Sequence, residues 1–143
     1  MNFLERLPEF IANHYVLATL FILMLVALAL LEMRRGGKKI TAQSAIGLLN
    51  RDEAVVVDIR EKKEYSTGHI VGSLHIPLNS LKERMDELKK HEGKQIIVAD
   101  KMGQHSATAV KQLNEAGFSD VVRLAGGISE WQGSNLPLKR KKK

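Results

Sequence analysis

Apolar and polar positions divide this chain into two unlike parts. From Phe10 to Leu31 no charged residue occurs, a run of 22 residues. At about 1.5 Å per residue this reaches about 33 Å, close to the hydrocarbon thickness of a bilayer. It predicts one N-terminal helix that is apolar on every side. Beyond Ile40 the pattern breaks into short pieces. Ala54-Val-Val-Val-Asp-Ile59 and Ile96-Ile-Val-Ala99 are continuous, β-branched runs, the mark of strands buried on both faces. Leu74-His75-Ile76, stopped by Pro77, and Asp120 to Leu124 read as shorter strands.

Helical stretches separate these strands. Thr41 is placed to cap a helix over Ala42 to Asn50, with Ala45, Ile46 and Leu49 on its apolar side. Glu61 to Ser66 reads as one polar turn of helix. Ser80-Leu-Lys-Glu83 matches a capping box opening a helix lined by Leu81, Met85 and Leu88. Ala107, Val110 and Leu113 stand at helical spacing before Gly117, a C-terminal cap. Ala125 to Trp131 is a glycine turn into a short helix, with Trp131 on the core. Strands alternating with helices predict an α/β fold, a parallel sheet with covered faces.

Charge changes this picture only at the edges. The chain carries a net +6, yet residues 40–138 hold twelve basic and thirteen acidic side chains, a net of −1. The excess lies in Arg34, Arg35, Lys38 and Lys39 and in the tail 139–143. No aromatic residues interleave these charges, so a nucleic-acid partner is not expected. The tail and the 34–39 cluster suit anionic lipid headgroups. Cysteine is absent, which removes disulfides, thiolate metal sites and thiol catalysis together. The five histidines lack the spacing of a metal site, and no cofactor is expected.

Flanking charge also orients the apolar run. Residues 1–9 contain two acids and one arginine; residues 34–39 contain four bases and no acid. The positive-inside rule places the N-terminus outside and everything after the run in the cytoplasm. A cleaved signal would want a basic start and small residues at its end, and neither is present. The expected organisation is a short segment 1–9, a transmembrane helix 10–31, a basic linker 32–39, a folded domain 40–138 and a basic tail 139–143.

The chemistry, if any, belongs at the end of the strand 96–99. Six residues, Asp100-Lys101-Met102-Gly103-Gln104-His105, separate it from the next helix. A strand turning sharply into a helix aims backbone N–H groups and the positive end of the helix dipole at one spot. Such a cradle holds a thiolate, a phosphate or an oxyanion. Asp100 stands at its mouth, able to accept those N–H bonds but not to carry sulfur. Lys101 and His105 lie at the rim.

Two stretches carry a family resemblance. Asp58-x-Arg60, followed by Glu64-Tyr65-x-x-Gly68-His69-Ile70-x-Gly72-Ser73-x-x-Ile76-Pro77, resembles the first signature of the rhodanese (sulfurtransferase) homology domain. Ala116-Gly117-Phe118-x-x-Val121 with Leu124-x-Gly126-Gly127-x-x-x-Trp131 resembles its C-terminal signature. One anchor followed by one such domain is similar to small inner-membrane proteins of bacteria. The resemblance implies a rhodanese-like parallel sheet flanked by helices. It also implies that active members carry a persulfide on a cysteine at the position of Asp100, and usually an arginine at that of His105. The six-residue length is that of the sulfurtransferase branch. Asp58, Arg60 and His69 are expected to support the loop, the first two as a buried ion pair or a hydrogen-bonded strand end and His69 as a structural histidine.

The function expected from these features is binding or scaffolding by a single-pass protein of the bacterial inner membrane. Its partners would be the bilayer through residues 10–31, anionic headgroups, and an integral-membrane or membrane-proximal protein. A sulfurtransferase-related enzyme and a small-anion sensor using the retained loop are the alternatives.

Overall fold

In the computed structural model the chain divides into two units, Met1–Arg35 and Gly36–Lys143. Residues 2–35 and 37–140 are described, and of Arg34 and Arg35 the backbone only. The expectations placed on the side chains of Arg34 and Arg35, and on residues 141–143 of the tail, therefore lie outside the described residues.

The first unit holds two helices, α1 (Phe3–Asn13) and α2 (Tyr15–Arg35). His14, at φ −125° and ψ 38°, leaves the helical region between them. The uncharged run from Phe10 to Leu31 is thus carried by two helices, and α2 continues through Glu32 to Arg35. Tyr15–Met33 is long and apolar enough to cross a membrane, by length and composition.

The second unit is a five-stranded sheet, every strand parallel to its neighbours, in the order β1-β5-β4-β2-β3. Its strands are β1 (Lys39–Ile40), β2 (Ala54–Asp58), β3 (Leu74–His75), β4 (Gln95–Ala99) and β5 (Val121–Leu124). The helices are α3 (Ala42–Asn50), α4 (Lys62–Thr67), α5 (Leu81–Arg84), α6 (Asp86–Lys89), α7 (Ser106–Glu115) and α8 (Gly127–Gly133). Alternation along the central strands feeds two cores. Val55 and Val57 of β2 and Ile96 and Val98 of β4 pack with Leu81, Leu88, Ala109, Val110 and Leu113. On the other face Val56, Ile97 and Ala99 meet Ala45, Ile128 and Trp131. Such strands need apolar side chains on both faces, which is why 54–57 and 96–99 read as unbroken runs.

Helix ends show how local chemistry sets the boundaries. The Thr41 hydroxyl accepts the Ser44 N–H at 3.2 Å, as expected of an N-cap. Thr41→Ala should cost about 1 kcal/mol, read as a lower urea midpoint of the detergent-solubilised chain. At the end of α7, Gly117 takes φ 99°. Its N–H bonds to Asn114 O, and the Phe118 N–H to Leu113 O, both at 3.1 Å. This double closure needs a left-handed residue, which glycine supplies without strain. Lys94 Nζ donates to Asp52 Oδ1 at 2.8 Å, and that bond, with the ammonium's charge, holds the Asp52 carboxyl below the usual carboxylate range.

Several expectations are corrected. Ser80 is not a capping residue: it lies at φ −103°, ψ −1° and makes no side-chain cap bond. Helical structure starts earlier, as a 3-10 turn over Leu78–Ser80 behind Pro77, because proline's locked φ suits the entry to a turn. The buried face of α7 is Ser106, Ala109, Val110 and Leu113, with Ala107 only half-buried. Strand β1 was not read from the sequence. Two residues are too few for a period, and the strand exists through its pairing with Arg123 and Leu124 of β5.

Candidate functional site

The loop Asp100–His105 lies between the carboxyl end of β4 and the first turn of α7. A helix begins with N–H groups that lack intrahelical partners, and here one carboxylate serves them. Asp100 Oδ2 accepts from His105 N at 2.6 Å and Ser106 N at 3.3 Å, while Oδ1 accepts from Gly103 N at 2.5 Å. Asp100 is 3% exposed. The cradle expected from the sequence is present, and it is filled by the chain's own side chain. Ser106, fully buried, closes the turn by donating its hydroxyl to Gly103 O at 3.1 Å.

Helix α8 holds the root of the loop. Its Ile128 N–H donates to Asp100 O at 2.8 Å and its Ser129 N–H to Lys101 O at 2.9 Å. These are again first-turn amides of a helix, so two helix N-termini grip one short loop from either end. The approach is close enough that a Cβ on Gly127 would overlap the Asp100 carbonyl oxygen, and Gly127 also sits at φ 61°. Gly127→Ala should cost about 1–3 kcal/mol from the left-handed backbone alone, seen as a lower melting temperature. Sequence reading found the glycine turn but not this grip, since only its Gly-Gly pair hints at a close backbone approach.

Asp58 and Arg60 form the neighbouring wall. β2 runs beside β4 with Asp58 opposite Ala99. Arg60 Nη2 donates to Asp58 Oδ2 at 2.8 Å and to Gly68 O at 2.7 Å, and Arg60 Nε donates to Asp58 Oδ1 at 3.0 Å. The side chains are 7% and 0% exposed. This is the buried ion pair, one of the two expected arrangements, and it also pins the 68–72 loop. His69 Nδ1 donates to Tyr65 O at 2.9 Å, a structural role. The sequence did not single out Tyr65 and His75. The Tyr65 ring lies between His69 and His75, with centroids 3.9 and 4.2 Å away. His75 Nε2 donates to Arg60 O at 2.8 Å. Tyr65 and His69 stand four apart at the end of α4, and His75 joins them because β3 pairs with the end of β2, which spacing along the chain does not reveal.

A cavity of about 560 Å³ opens beside the loop, lined among others by Ile59, Arg60, Glu64, Leu78, Asp100 and Gln112. The buried Gln112 Oε1 has no hydrogen-bond partner. At the rim Lys101 and His105 are exposed, as is Met102; Lys101 Nζ lies 4.0 Å from Glu64 Oε1. Among the described residues no three or more of His, Asp and Glu gather to hold a metal. Lys38 and Lys39 are exposed, with Lys39 opening β1. Chemically, the arrangement can bind through the cavity. Its cradle offers no nucleophilic sulfur.

Comparisons with known proteins agree on the domain. The rhodanese-like domain family matches residues 41–134. The uncharacterized protein YibN of Escherichia coli is 34% identical over 143 residues, spanning 97% of this chain and all of that protein. A rhodanese-related protein of Thermoplasma volcanium superposes with a TM-score of 0.66 at 28% identity, over 73% of this chain and 99% of that one. A thiosulfate sulfurtransferase of Pseudomonas aeruginosa superposes at 0.70 and 28% identity, over 79% of this chain and 22% of that one.

Proposed function

The chain belongs to the rhodanese-like domain family, and from that premise we propose that it is a membrane-anchored binding module without the family's sulfur chemistry. The observation that carries this reading is the Asp100 carboxylate seated on Gly103 N, His105 N and Ser106 N. By resemblance a persulfide-bearing cysteine belongs there, and a carboxylate cannot take up sulfur in its place. The same occupancy counts against a small-anion sensor, because an entering anion would have to displace a tethered one. What stays open is the cavity beside the loop, the surface a partner would use.

The anchor is α2, with the domain in the cytoplasm of a bacterial cell and α2 in its inner membrane. The supporting observations are the apolar length of α2 and the four bases at 34–39 against two acids and one base at 1–9. Partners under this reading are the bilayer, its anionic headgroups and a protein in or near the membrane.

Incubation of the purified chain with thiosulfate and cyanide tests the central point. No thiocyanate above the buffer rate is expected; a rate that Asp100→Ala abolishes would return the protein to the sulfurtransferases. Protease added to intact spheroplasts should spare residues 40–143, and their digestion would reverse the orientation. Crosslinking in mild detergent should then recover a membrane protein with wild-type chain and lose it when Met102→Glu and Leu78→Glu alter the cavity wall.

A further inference from the structure

Helix α1 has a sharply divided surface. At about 100° per residue, Phe3, Leu4, Leu7, Phe10 and Ile11 fall within an arc of about 120°. Glu5, Arg6 and Glu9 share the opposite side. All five apolar side chains are exposed, from 37% at Leu7 to 79% at Phe3. Two observations separate this helix from the apolar one that follows. His14 leaves the helical region, and Tyr15–Met33 of α2, 19 residues, already reach about 28 Å, within the span of about 17–25 residues that crosses a bilayer. No part of α1 is needed to complete a crossing.

Its chemistry also places it at a boundary. Carrying Glu5, Arg6 and Glu9 into hydrocarbon would be costly. Pro8 lies inside α1, and its ring removes the amide that would bond the Leu4 carbonyl. Water can serve that carbonyl, whereas lipid chains cannot. Resting on the anchor reading above, we propose that α1 lies flat in the lipid–water boundary on the side of the membrane away from the domain. Its apolar arc enters the headgroup–acyl boundary and sets the depth of α2. With two carboxylates and one guanidinium on its polar arc, the helix binds through apolar contact, so uncharged lipid suffices.

The absence of cysteine allows a direct test. Leu7→Cys, Glu9→Cys and Leu23→Cys are labelled singly with a nitroxide in the full chain, reconstituted into phosphatidylcholine vesicles. Collision with oxygen, which concentrates in lipid, is compared with collision with a water-soluble nickel chelate. The oxygen-to-nickel ratio at Leu7→Cys should be several-fold higher than at Glu9→Cys, at a depth of about 5–10 Å, with Leu23→Cys deeper still. If Leu7→Cys is as open to nickel as Glu9→Cys while Leu23→Cys stays in lipid, the boundary helix is wrong and the anchor stands. If Leu7→Cys is shielded from both reagents, protein rather than lipid covers the apolar arc, and the proposal fails likewise. A Leu23→Cys label open to nickel would overturn the anchor, and this proposal with it.

Discussion

Asp100→Cys should convert the loop into a sulfur acceptor, forming thiocyanate from thiosulfate and cyanide at a rate the wild-type chain is not expected to show. The cradle is already built: Gly103 N, His105 N and Ser106 N converge on the side chain at this position. A thiol at a helix N-terminus falls from a pKa of about 8.5 to about 3.5–7.5, so at neutral pH its thiolate fraction rises from a few per cent to about a quarter or more. The thiolate attacks the outer sulfur of thiosulfate and expels sulfite, leaving a persulfide. Cyanide then removes the terminal sulfur as thiocyanate and regenerates the thiolate. One sulfur atom replaces two oxygens, so unpaired loop amides should cost about 1–3 kcal/mol of stability.

His105 stands where the family usually has arginine. Adding His105→Arg to Asp100→Cys should raise kcat/KM for thiosulfate about tenfold, the effect of one charge-assisted hydrogen bond. Iodoacetamide labelling against pH supplies the independent readout. A cysteine titrating at its ordinary value, in a variant that melts normally and makes no thiocyanate, would show that the amides do not act as a cradle.

Arg60→Ala should be the most damaging single change in the domain. It removes the guanidinium from a carboxylate, Asp58, that is fully buried, and leaves Gly68 O without its Arg60 donor. Breaking a buried pair from one side costs about 3–5 kcal/mol, much of the stability of about 5–15 kcal/mol typical of a domain. The melting temperature should fall by on the order of 15 °C or more. Replacing both partners, as Asp58→Leu with Arg60→Met, should cost less than Arg60→Ala, because no charge is then stranded. A single variant within about 1 kcal/mol of wild type would mean that water reaches Asp58 once the arginine is gone.

These two predictions rest on features of different legibility. Asp58-x-Arg60 could be read in advance as loop support through the family resemblance, with the structure choosing the buried ion pair over a hydrogen-bonded strand end. The Asp100 cradle was likewise legible from the strand, the six-residue loop and the helix after it. The ring stack of Tyr65 with His69 and His75 was not, nor was the hold of α8 on Asp100 O and Lys101 O. The first needs β3 to bring His75 back beside α4, and the second joins residues far apart in the chain. Ser80 shows the opposite failure: a correct local motif overruled because Pro77 had already started the turn.

By itself, then, the sequence determined the long apolar stretch, the two central strands, the Thr41 and Gly117 caps, and the lack of any thiol. Each follows from the chemistry of neighbouring residues or from composition, and needs no knowledge of what lies across the fold. Only the tertiary structure decided that β1 pairs with β5, that His14 divides the N-terminal helices, and that α8 holds the loop from its far side. It also decided that Asp100 turns inward to occupy its own cradle. A side chain's direction depends on which amides the rest of the fold brings to it, and that information is shared among segments rather than written in any one of them.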